Sequence, residues 1–322
     1  MTLLVTGGNG FLGRALVGRL VQRGDHVRVL ARSAYQAEGV ECLRGDVADP
    51  ELVQRAVKGC TTVFHVAAKT GIGGRFEDYA RTNLTGTEVV IAACKKAGVQ
   101  RLVYTSTPSV VFDRHGHEGA DESTPLVTNK LSAYAWTKAR AEEKVLAAHG
   151  PELTTVALRP HLVWGPEDTQ LTARILDRAK KGKLRLIDGG RAKVDAVYID
   201  NAVDAHLAAE TAKDAGGRAY FVTNEDPRPI EEILNRMLKA ADLAPVTRSV
   251  PLKVAYAVGW VMEQIYANKE VEPAMTRFLA LQLGTPHWFD PSAARRDLGY
   301  VPRVSVEEGM ERLATWLRSR SG

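Results

Sequence analysis

The sequence has little cysteine: Cys42, Cys60 and Cys94 are its three thiols in 322 residues. They lie far apart, and no two have the Cys-x-x-Cys spacing, so the pattern excludes a disulfide framework and a cysteine-based zinc site. No other metal site is predicted. We interpret the three cysteines as buried thiols of a protein that works in the reducing cytoplasm.

Long apolar runs are also absent, since no stretch reaches the roughly 18 apolar residues that a membrane-spanning helix needs. The N-terminus lacks a basic region followed by a cleavage site, so no secretory signal is expected. Charge is not concentrated either, because 43 Lys and Arg residues are scattered among 38 Asp and Glu residues. This distribution predicts a solvated surface and no nucleic-acid partner, and its modest positive balance suits an anionic small molecule.

The first half of the chain alternates short β-branched runs with helical patterns. The runs are TLLVTG, HVRVLAR, TTVFHVAA, RLVYTS and TTVALRP. Such alternation predicts βα units around a buried parallel sheet, that is, a doubly wound α/β fold. After residue 165 the pattern becomes mostly helical, and strand-like segments near 195 to 224 are expected to rejoin the sheet. We predict a dinucleotide-binding domain over 1–165 plus 194–224 and a substrate-binding lobe over 166–193 plus 225–322.

A glycine-rich turn follows the first predicted strand, where LLVTGGNGFLGRAL contains Gly7, Gly10 and Gly13. Gly7 permits a tight turn, Gly10 lets the backbone approach a pyrophosphate, and Gly13 allows close packing of helix on strand. The helix N-terminus adds N–H donors and a positive dipole. The sequence therefore predicts a dinucleotide at this turn. Further predicted cofactor contacts are Phe11, Leu12, Asp46, Val47, Ala67, Ala68 and Pro160.

The sequence lacks an acidic residue where the second predicted strand ends in Ala31, Arg32 and Ser33. A carboxylate there would bind the ribose 2′-hydroxyl of NAD, so its absence favours NADP(H). We predict that Arg32, together with Arg14, pairs with a 2′-phosphate; the alternative is an exposed loop arginine. Asp46 ends the next strand and is predicted to accept from the adenine amino group; alternatively, it caps the following helix.

Tyr134 and Lys138 lie four residues apart in SAYAWTKARAEEKVLAA, so a helix presents both on one face. Reduction of a carbonyl needs an acid that protonates the developing alkoxide, and a tyrosine suits this task if a nearby ammonium lowers its pKa. Lys138 is predicted to supply that charge and to bind the cofactor ribose. The hydroxyl-rich run YTSTPSV, which ends an earlier strand, adds further polar groups.

Taken in order, the motifs TGGNGFLG, TNLTGT, YTST, YAWTK and LRPHLVWGP resemble those of the extended short-chain dehydrogenase/reductases over essentially the whole chain. The resemblance implies a Rossmann-type sheet of about seven strands, a smaller, mostly helical C-terminal substrate domain, and a homodimer. It also implies a catalytic set of Thr107, Tyr134, Lys138 and Asn83. Thr107 stands where the family usually has serine. Asn83 matches the family asparagine that holds a water linking the lysine to solvent.

Other segments narrow the resemblance. VYIDNAVDAHLAA, AYFVTNEDP and RDLGYVPRVSVEEGMER are similar to the 3β-hydroxysteroid dehydrogenase group, and RLVYTSTPSV, VALRPHLVWGP and TRFLALQLGTPHWF to the 2-alkyl-3-oxoalkanoate reductases of bacterial long-chain olefin synthesis. This similarity implies reduction of a hydrophobic β-keto acid with NADPH. The alternatives are a 3β-hydroxysteroid or decarboxylating sterol-4-carboxylate dehydrogenase and a non-catalytic NADP-binding regulator. An epimerase or dehydratase is less favoured, because TSTPSV lacks an acidic pair.

Two features are hypotheses for substrate binding. The helical segment VPLKVAYAVGWVMEQIY is apolar on more than one side. We predict that it walls an acyl tunnel, with Trp260 as a wall residue, or contacts a membrane or another enzyme of the pathway; a buried lobe helix is the alternative. Lys69 follows a strand end and precedes the glycine-rich TGIGG. It is predicted to bind the substrate carboxylate, with an ordinary surface lysine as the alternative.

Overall fold

Seven parallel strands form the central sheet in the computed structural model, which describes residues 1–35, 37–266 and 271–320. Their bounds are β1 (Thr2–Thr6), β2 (His26–Ala31), β3 (Val40–Arg44), β4 (Cys60–His65), β5 (Arg101–Thr105), β6 (Thr154–Pro160) and β7 (Arg218–Val222). The spatial order is β7-β6-β5-β4-β1-β2-β3, so the strand order reverses between β1 and β4. A cleft at the carboxyl ends of strands is typical of such a reversal. The predicted doubly wound sheet is confirmed.

Twelve α-helices occur in the described part of the chain. They are α1 (Phe11–Gln22), α2 (Pro50–Val57), α3 (Phe76–Tyr79), α4 (Gly86–Ala97), α5 (Ala133–Ala147), α6 (Leu171–Lys180), α7 (Ile199–Thr211), α8 (Ile230–Ala240), α9 (Leu252–Tyr266), α10 (Arg277–Gly284), α11 (Ser292–Leu298) and α12 (Val306–Ser319). A π-helical turn, Ala80–Thr85, joins α3 to α4. None of the helices described combines the length and apolar character of a membrane span.

Alternation along the strands divides the core between the two faces of the sheet. Leu3 and Val5 of β1 belong to one apolar cluster with Leu16 of α1, whereas Leu4 lies in another with Val53 of α2. Successive strand side chains point to opposite faces, so a strand covered by helices on both sides must be apolar throughout. Helices α1 and α7 therefore cover one face, and α2, α4 and α5 cover the other.

Two segments depart from the predicted strand assignment. Val197–Tyr198 was expected to rejoin the main sheet, but it pairs with Val163–Trp164 in a separate two-stranded ladder. The reason is that Arg218–Val222 already occupies the edge beside β6. His117–Ala120, inside the first predicted domain, belongs to a second sheet with three later segments, Lys193–Val194, Arg228–Pro229 and His287–Phe289. The division into two domains stays a prediction.

The cysteines are unpaired, and their burial differs from what was expected. Cys60 and Cys94 are buried, as predicted. Cys42 is only partly buried, because it lies on β3, the edge strand of the sheet in the described part of the chain.

Candidate active site

The glycine-rich turn between β1 and α1 has no room for side chains at two of its glycines. Gly7 has φ +73°, and a Cβ there would lie 2.7 Å from the backbone of Ala67. A Cβ on Gly13 would lie 2.2 Å from the carbonyl oxygen of Gly7. Gly10 directly precedes α1 and has no side chain to cap it, so the first N–H groups of that helix remain available to a ligand. These features fit the pyrophosphate of a dinucleotide.

A cleft of about 730 Å³ opens at this turn. Most of the predicted cofactor residues line it, namely Gly7, Gly10, Phe11, Leu12, Gly13, Arg32, Asp46, Val47, Ala67, Ala68, Tyr134 and Lys138. Lys69 lines it as well. Pro160, Asn83 and Thr107 lie outside the set of described residues that border this cleft. The structure thus brings residues from five strand ends to one cleft.

The far end of the cleft carries the residues expected to select the cofactor. Arg32 is exposed and lies near enough to Asp46 to lower its pKa. Burial alone would raise the pKa of Asp46, but a hydrogen bond from the Ala48 N–H and the Arg81 guanidinium outweigh it, so the pKa lies below its usual value. Asp46 does not cap α2, since Asp49 does so by accepting from two backbone N–H groups.

Sequence reasoning missed Asn9, which organises the same end. Its side-chain amide donates to the Ser33 carbonyl oxygen at 2.6 Å, to the Ser33 hydroxyl at 2.7 Å and to the Ala34 carbonyl oxygen at 3.1 Å. It therefore holds the turn after β2 against the glycine-rich turn. The motif TGGNGFLG already contained a signal for this role. A polar side chain at this position of the turn indicates a hydrogen bond to a neighbouring loop.

Thr107 and Tyr134 are brought together by the structure. Thr107 begins a short 3₁₀ helix, Pro108–Val111, after β5, and its hydroxyl accepts from the Ser109 N–H at 3.3 Å. Tyr134 lies in the first turn of α5, which Ser132 caps. Burial raises the pKa of Tyr134 above its ordinary value, and a hydrogen bond with Thr107 opposes the rise. The structure does not show the predicted lowering of this pKa by Lys138, which stays a prediction.

The physical reason lies in the surroundings of Lys138, which is 1% exposed. Its ammonium donates to the Thr105 carbonyl oxygen at 2.5 Å and lies 4.0 Å from the centroid of the Tyr104 ring. Burial lowers the pKa of Lys138 to about 7, against an opposing effect of Glu142. Burial thus disfavours the charged form of this lysine, and its amino group is directed toward β5.

Glu142 is a second residue that sequence reasoning missed. It is fully buried one turn beyond Lys138, and both its carboxylate oxygens accept from Arg159, at 2.6 and 3.1 Å. The spacing Tyr134, Lys138, Glu142 repeats every four residues, which places all three on one helix face. This spacing could have indicated the role of Glu142 from the sequence, because an acid at this position compensates the burial of a cation.

Asn83 lies in the π-helical turn and is 1% exposed. Its side-chain oxygen accepts from the Lys69 N–H at 2.7 Å, and its amide donates to the Lys69 carbonyl oxygen and to the Thr137 hydroxyl, both at 3.1 Å. Asn83 thus fixes the backbone of Lys69 to α5, close to Lys138 in sequence. The predicted water bound by Asn83 stays a prediction.

A buried chain of hydrogen bonds continues from Asn83 beneath the cleft. The Thr87 hydroxyl donates to the Asn83 carbonyl oxygen at 2.6 Å, and His65 bonds Thr87 at 3.0 Å and Thr6 at 2.7 Å. The Thr6 hydroxyl also accepts from the Ala67 N–H at 3.2 Å. Burial, followed by the charge of Lys138, lowers the pKa of His65 to about 3, so its ring is neutral. This chain ties β1, β4 and α4 together under the cofactor residues.

A second, apolar cavity of about 930 Å³ lies beside the cleft. Its walls come from α6, α8, α9 and α10 and from the loop after Lys69. Helix α9 contributes Ala255, Val258, Met262 and Tyr266. Trp260 does not border the cavity within the described residues; it faces outward and is 52% exposed. The helix therefore walls an apolar space, but the assignment of Trp260 as a wall residue is wrong, because it lies on the opposite side of α9.

The outer face of α9 is also apolar: Val254, Trp260, Val261 and Ile265 are each 46–55% exposed. The expected alternative of a well-buried lobe helix is wrong, since Ala255 and Gly259 are the buried residues in its described length. A contact of this face with a membrane or a pathway enzyme stays a prediction.

Fold and site together define an NAD(P)-dependent enzyme of the extended short-chain dehydrogenase/reductase type. The glycine-rich turn, the doubly wound sheet and the hydroxyl–Tyr–Lys arrangement are the features that define it. The chain belongs to the 3-beta hydroxysteroid dehydrogenase/isomerase family, whose model matches residues 4–253.

Similar proteins refine this assignment. The chain is 48% identical to a 2-alkyl-3-oxoalkanoate reductase of Stenotrophomonas maltophilia, with 97% of this chain and 98% of the relative covered. It is 33% identical to the decarboxylating sterol-4-alpha-carboxylate 3-dehydrogenase of Mus musculus, with 96% and 88% covered. Among solved structures, MoeE5 in complex with UDP-glucose and NAD is 25% identical, with a TM-score of 0.80 over the full length of both chains.

Proposed function

We propose that the protein reduces the 3-oxo group of a 2-alkyl-3-oxoalkanoic acid to a hydroxyl group with NADPH, in the synthesis of long-chain olefins. The observation that carries this proposal is the apolar cavity of about 930 Å³ that adjoins the cleft containing Tyr134 and Lys138. A space of that size and character suits long alkyl arms. The 48% identity to a reductase of this name over nearly the whole chain supports the same substrate class.

In this proposal the nicotinamide, when bound, supplies a hydride to C3 of the substrate. Tyr134 donates a hydrogen bond to the ketone oxygen and then transfers its phenolic proton to the alkoxide. Thr107 bonds Tyr134, and we propose that it donates to the same ketone oxygen. One hydride and one proton thus convert the ketone into a secondary alcohol.

Lys138 and its buried neighbours keep this acid in position. We propose that Lys138 binds the nicotinamide ribose by leaving the Thr105 carbonyl oxygen, to which it donates in the structure. In that position its ammonium would favour the phenolate that remains after proton transfer. Asn83 positions the Lys69 backbone and α5, and we propose that a water near it returns a proton to the site.

The preference for NADPH is part of the proposal. Arg32 lines the cleft where the 2′-phosphate of the adenosine ribose would lie, and no carboxylate follows β2 to bind a 2′-hydroxyl. Asp46, which also lines the cleft, is proposed to accept from the adenine amino group.

A decarboxylating sterol-4-carboxylate dehydrogenase is the second candidate, supported by the 33% identity to such an enzyme. Both substrates have a carboxylate beside a carbon that bears oxygen, so the reaction centre does not separate them. We would supply NADP⁺ with either a 2-alkyl-3-hydroxy acid or a 4-carboxysterol and follow NADPH formation. Turnover of the alkyl acid alone supports the proposal, whereas turnover of the sterol alone contradicts it.

Location and assembly belong to the same proposal. We propose that the enzyme works in the cytoplasm, which its three unpaired cysteines support. The predicted homodimer is tested by measuring the mass of the protein in solution.

A further inference from the structure

The cofactor cleft and the apolar cavity meet at residues that border both: Thr70, Gln170, Arg174 and Glu272. Arg174 lies on α6, and Glu272 lies between α9 and α10. The Arg174 guanidinium donates to the Glu272 carboxylate. An ion pair from two distant segments therefore lies where the polar space joins the apolar one.

The chemistry of the proposed substrate places a carboxylate near this junction. In a 2-alkyl-3-oxo acid, the ketone is on C3, the carboxylate is attached to C2, and alkyl arms extend from both carbons. With the ketone beside Tyr134 and the arms in the apolar cavity, the carboxylate must lie near the boundary between the two spaces. A carboxylate that leaves water needs a cation or several donors, because an unpaired charge is costly to desolvate.

Arg174 meets this need. It is the cation among the residues that border both cavities, and its side chain is 48% exposed. Within the described residues, the guanidinium donates to Glu272, which leaves further N–H donors for a second carboxylate. A planar guanidinium binds a carboxylate through two parallel hydrogen bonds, so this site favours an acid over a neutral group.

The surrounding packing holds the ion pair against the site. A Cβ on Gly71 would lie 2.1 Å from the Glu272 carboxylate, so the loop after Lys69 packs directly on it. Tyr79 donates to the Gly73 carbonyl oxygen at 2.7 Å. Burial, followed by the charge of Glu272, raises the pKa of Tyr79 to about 12; Arg174 opposes this rise, and Tyr134 contributes to it. The Tyr79 ring thus lies within electrostatic reach of both the ion pair and the proposed acid.

Lys69, the cation predicted from the sequence, is less well placed for this role. It borders the cofactor cleft but does not border the apolar cavity in the described part of the chain. Its ammonium lies 3.9 Å from the Asp78 carboxylate and 5.3 Å from the centroid of the Tyr79 ring.

We propose that Arg174 binds the substrate carboxylate at this junction and that Glu272 is the internal carboxylate which the substrate displaces. The proposal rests on the proposed reduction of a β-keto acid. Before the substrate enters, Glu272 keeps the arginine paired. A carboxylic acid replaces that partner by exchange, whereas a neutral analogue gains no ion pair.

The test measures binding and turnover separately. Binding of a 2-alkyl-3-hydroxy acid and of its methyl ester to the NADP⁺-saturated protein is measured by calorimetry. Arg174→Gln is expected to raise Kd for the acid about 10–100-fold, the range for loss of hydrogen bonds to a charged group, and to leave Kd for the ester unchanged. Glu272→Gln is expected to lower Kd for the acid several-fold. Lys180→Gln is the matched control at the end of α6, where the exposed lysine lies outside the described residues that border either cavity; it should change neither value.

Three results would overturn the carboxylate site: equal weakening of acid and ester by Arg174→Gln, weaker acid binding in Glu272→Gln, or loss of acid preference in Lys69→Met instead of Arg174→Gln. Failure of the proposed function is distinguishable, because it appears as wild-type protein that binds the acid but does not oxidise it with NADP⁺. Titration of NADPH fluorescence on Arg174→Gln checks that the cofactor site is intact, and a matching NADPH Kd is expected.

Discussion

The cofactor cleft takes its shape from backbone turns, whereas the apolar cavity beside it takes its shape from side chains of distant segments. Gly7 and Gly13 lie within one short motif, and each is fixed by a close approach of main chain to main chain. The cavity instead needs Ile187, Met237 and Leu283, which come from three separate parts of the chain. A backbone cradle accepts few residue types, while an apolar wall accepts many of similar volume. A single substitution in the cleft should therefore either abolish its function or leave it intact. A single substitution in the wall of the cavity should change substrate preference by degrees.

The largest effect on activity is expected from Tyr134→Phe, which changes a residue of the cofactor cleft. Loss of the proton donor should lower kcat by about 10²–10⁴-fold, the usual range for a general acid. NADPH affinity should stay nearly unchanged. Steady-state kinetics and fluorescence titration measure the two quantities, and a kcat near that of the wild type would refute the assignment.

Lys138 provides a second test on the cleft side, through the stability of the protein. Its side chain is a basic group buried in the cleft. Its pKa is about 7 when folded, against 10.5 when exposed in the unfolded chain. The unfolded state thus binds more protons between these values, and stability should rise as pH rises from about 7 toward 10.5. Urea unfolding of the wild type and Lys138→Met without cofactor should show a rise, on the order of a few kcal/mol, that the variant lacks. Parallel pH profiles for both proteins would contradict the buried cation.

Arg32→Ala tests the cofactor end of the cleft. Loss of a guanidinium that pairs with a 2′-phosphate should raise KM for NADPH about tenfold and leave KM for NADH within about twofold. Arg14→Ala, on the neighbouring helix, is measured in parallel to separate the two candidate cations. Equal changes for NADPH and NADH would show that Arg32 does not recognise the phosphate.

The smallest effect is expected in the apolar cavity, where α9 offers a matched pair. Met262→Trp adds volume inside the cavity and should shift the preferred acyl chain a few carbons shorter, with a several-fold change in kcat/KM. Trp260→Ala removes volume on the outer face of the same helix and should leave the chain-length profile unchanged. A shift caused by Trp260→Ala would mean that the outer face contacts the substrate after all.

The same contrast explains what the sequence could reveal. The glycine-rich turn, Tyr134 and Lys138 were predictable because each belongs to a short motif whose spacing already determines its geometry. The cofactor cleft contains almost every residue predicted for it. Arg174 and Glu272 could not be found in this way, since they are 98 residues apart and meet only when α6 folds against the segment before α10. Trp260 shows the same limit on one helix: an apolar sequence does not say which side of the helix faces the cavity.

The π-helical turn at Ala80–Thr85 changes the direction in which the side chains beyond it point. Each residue of an α-helix turns the chain by about 100°, so the extra residue in a π turn offsets everything beyond it. Ahead of the turn, Tyr79 meets Gly73; beyond it, Gly86 packs so closely on Val47 that a Cβ there would lie 2.6 Å away. Deleting one residue between Tyr79 and Gly86 would rotate one end of the helix relative to the other. One of the two contacts could then form only if the other were lost. The offset allows one continuous helical segment to contact the loop at Gly73 before the π turn and Val47, which lines the cofactor cleft, after it.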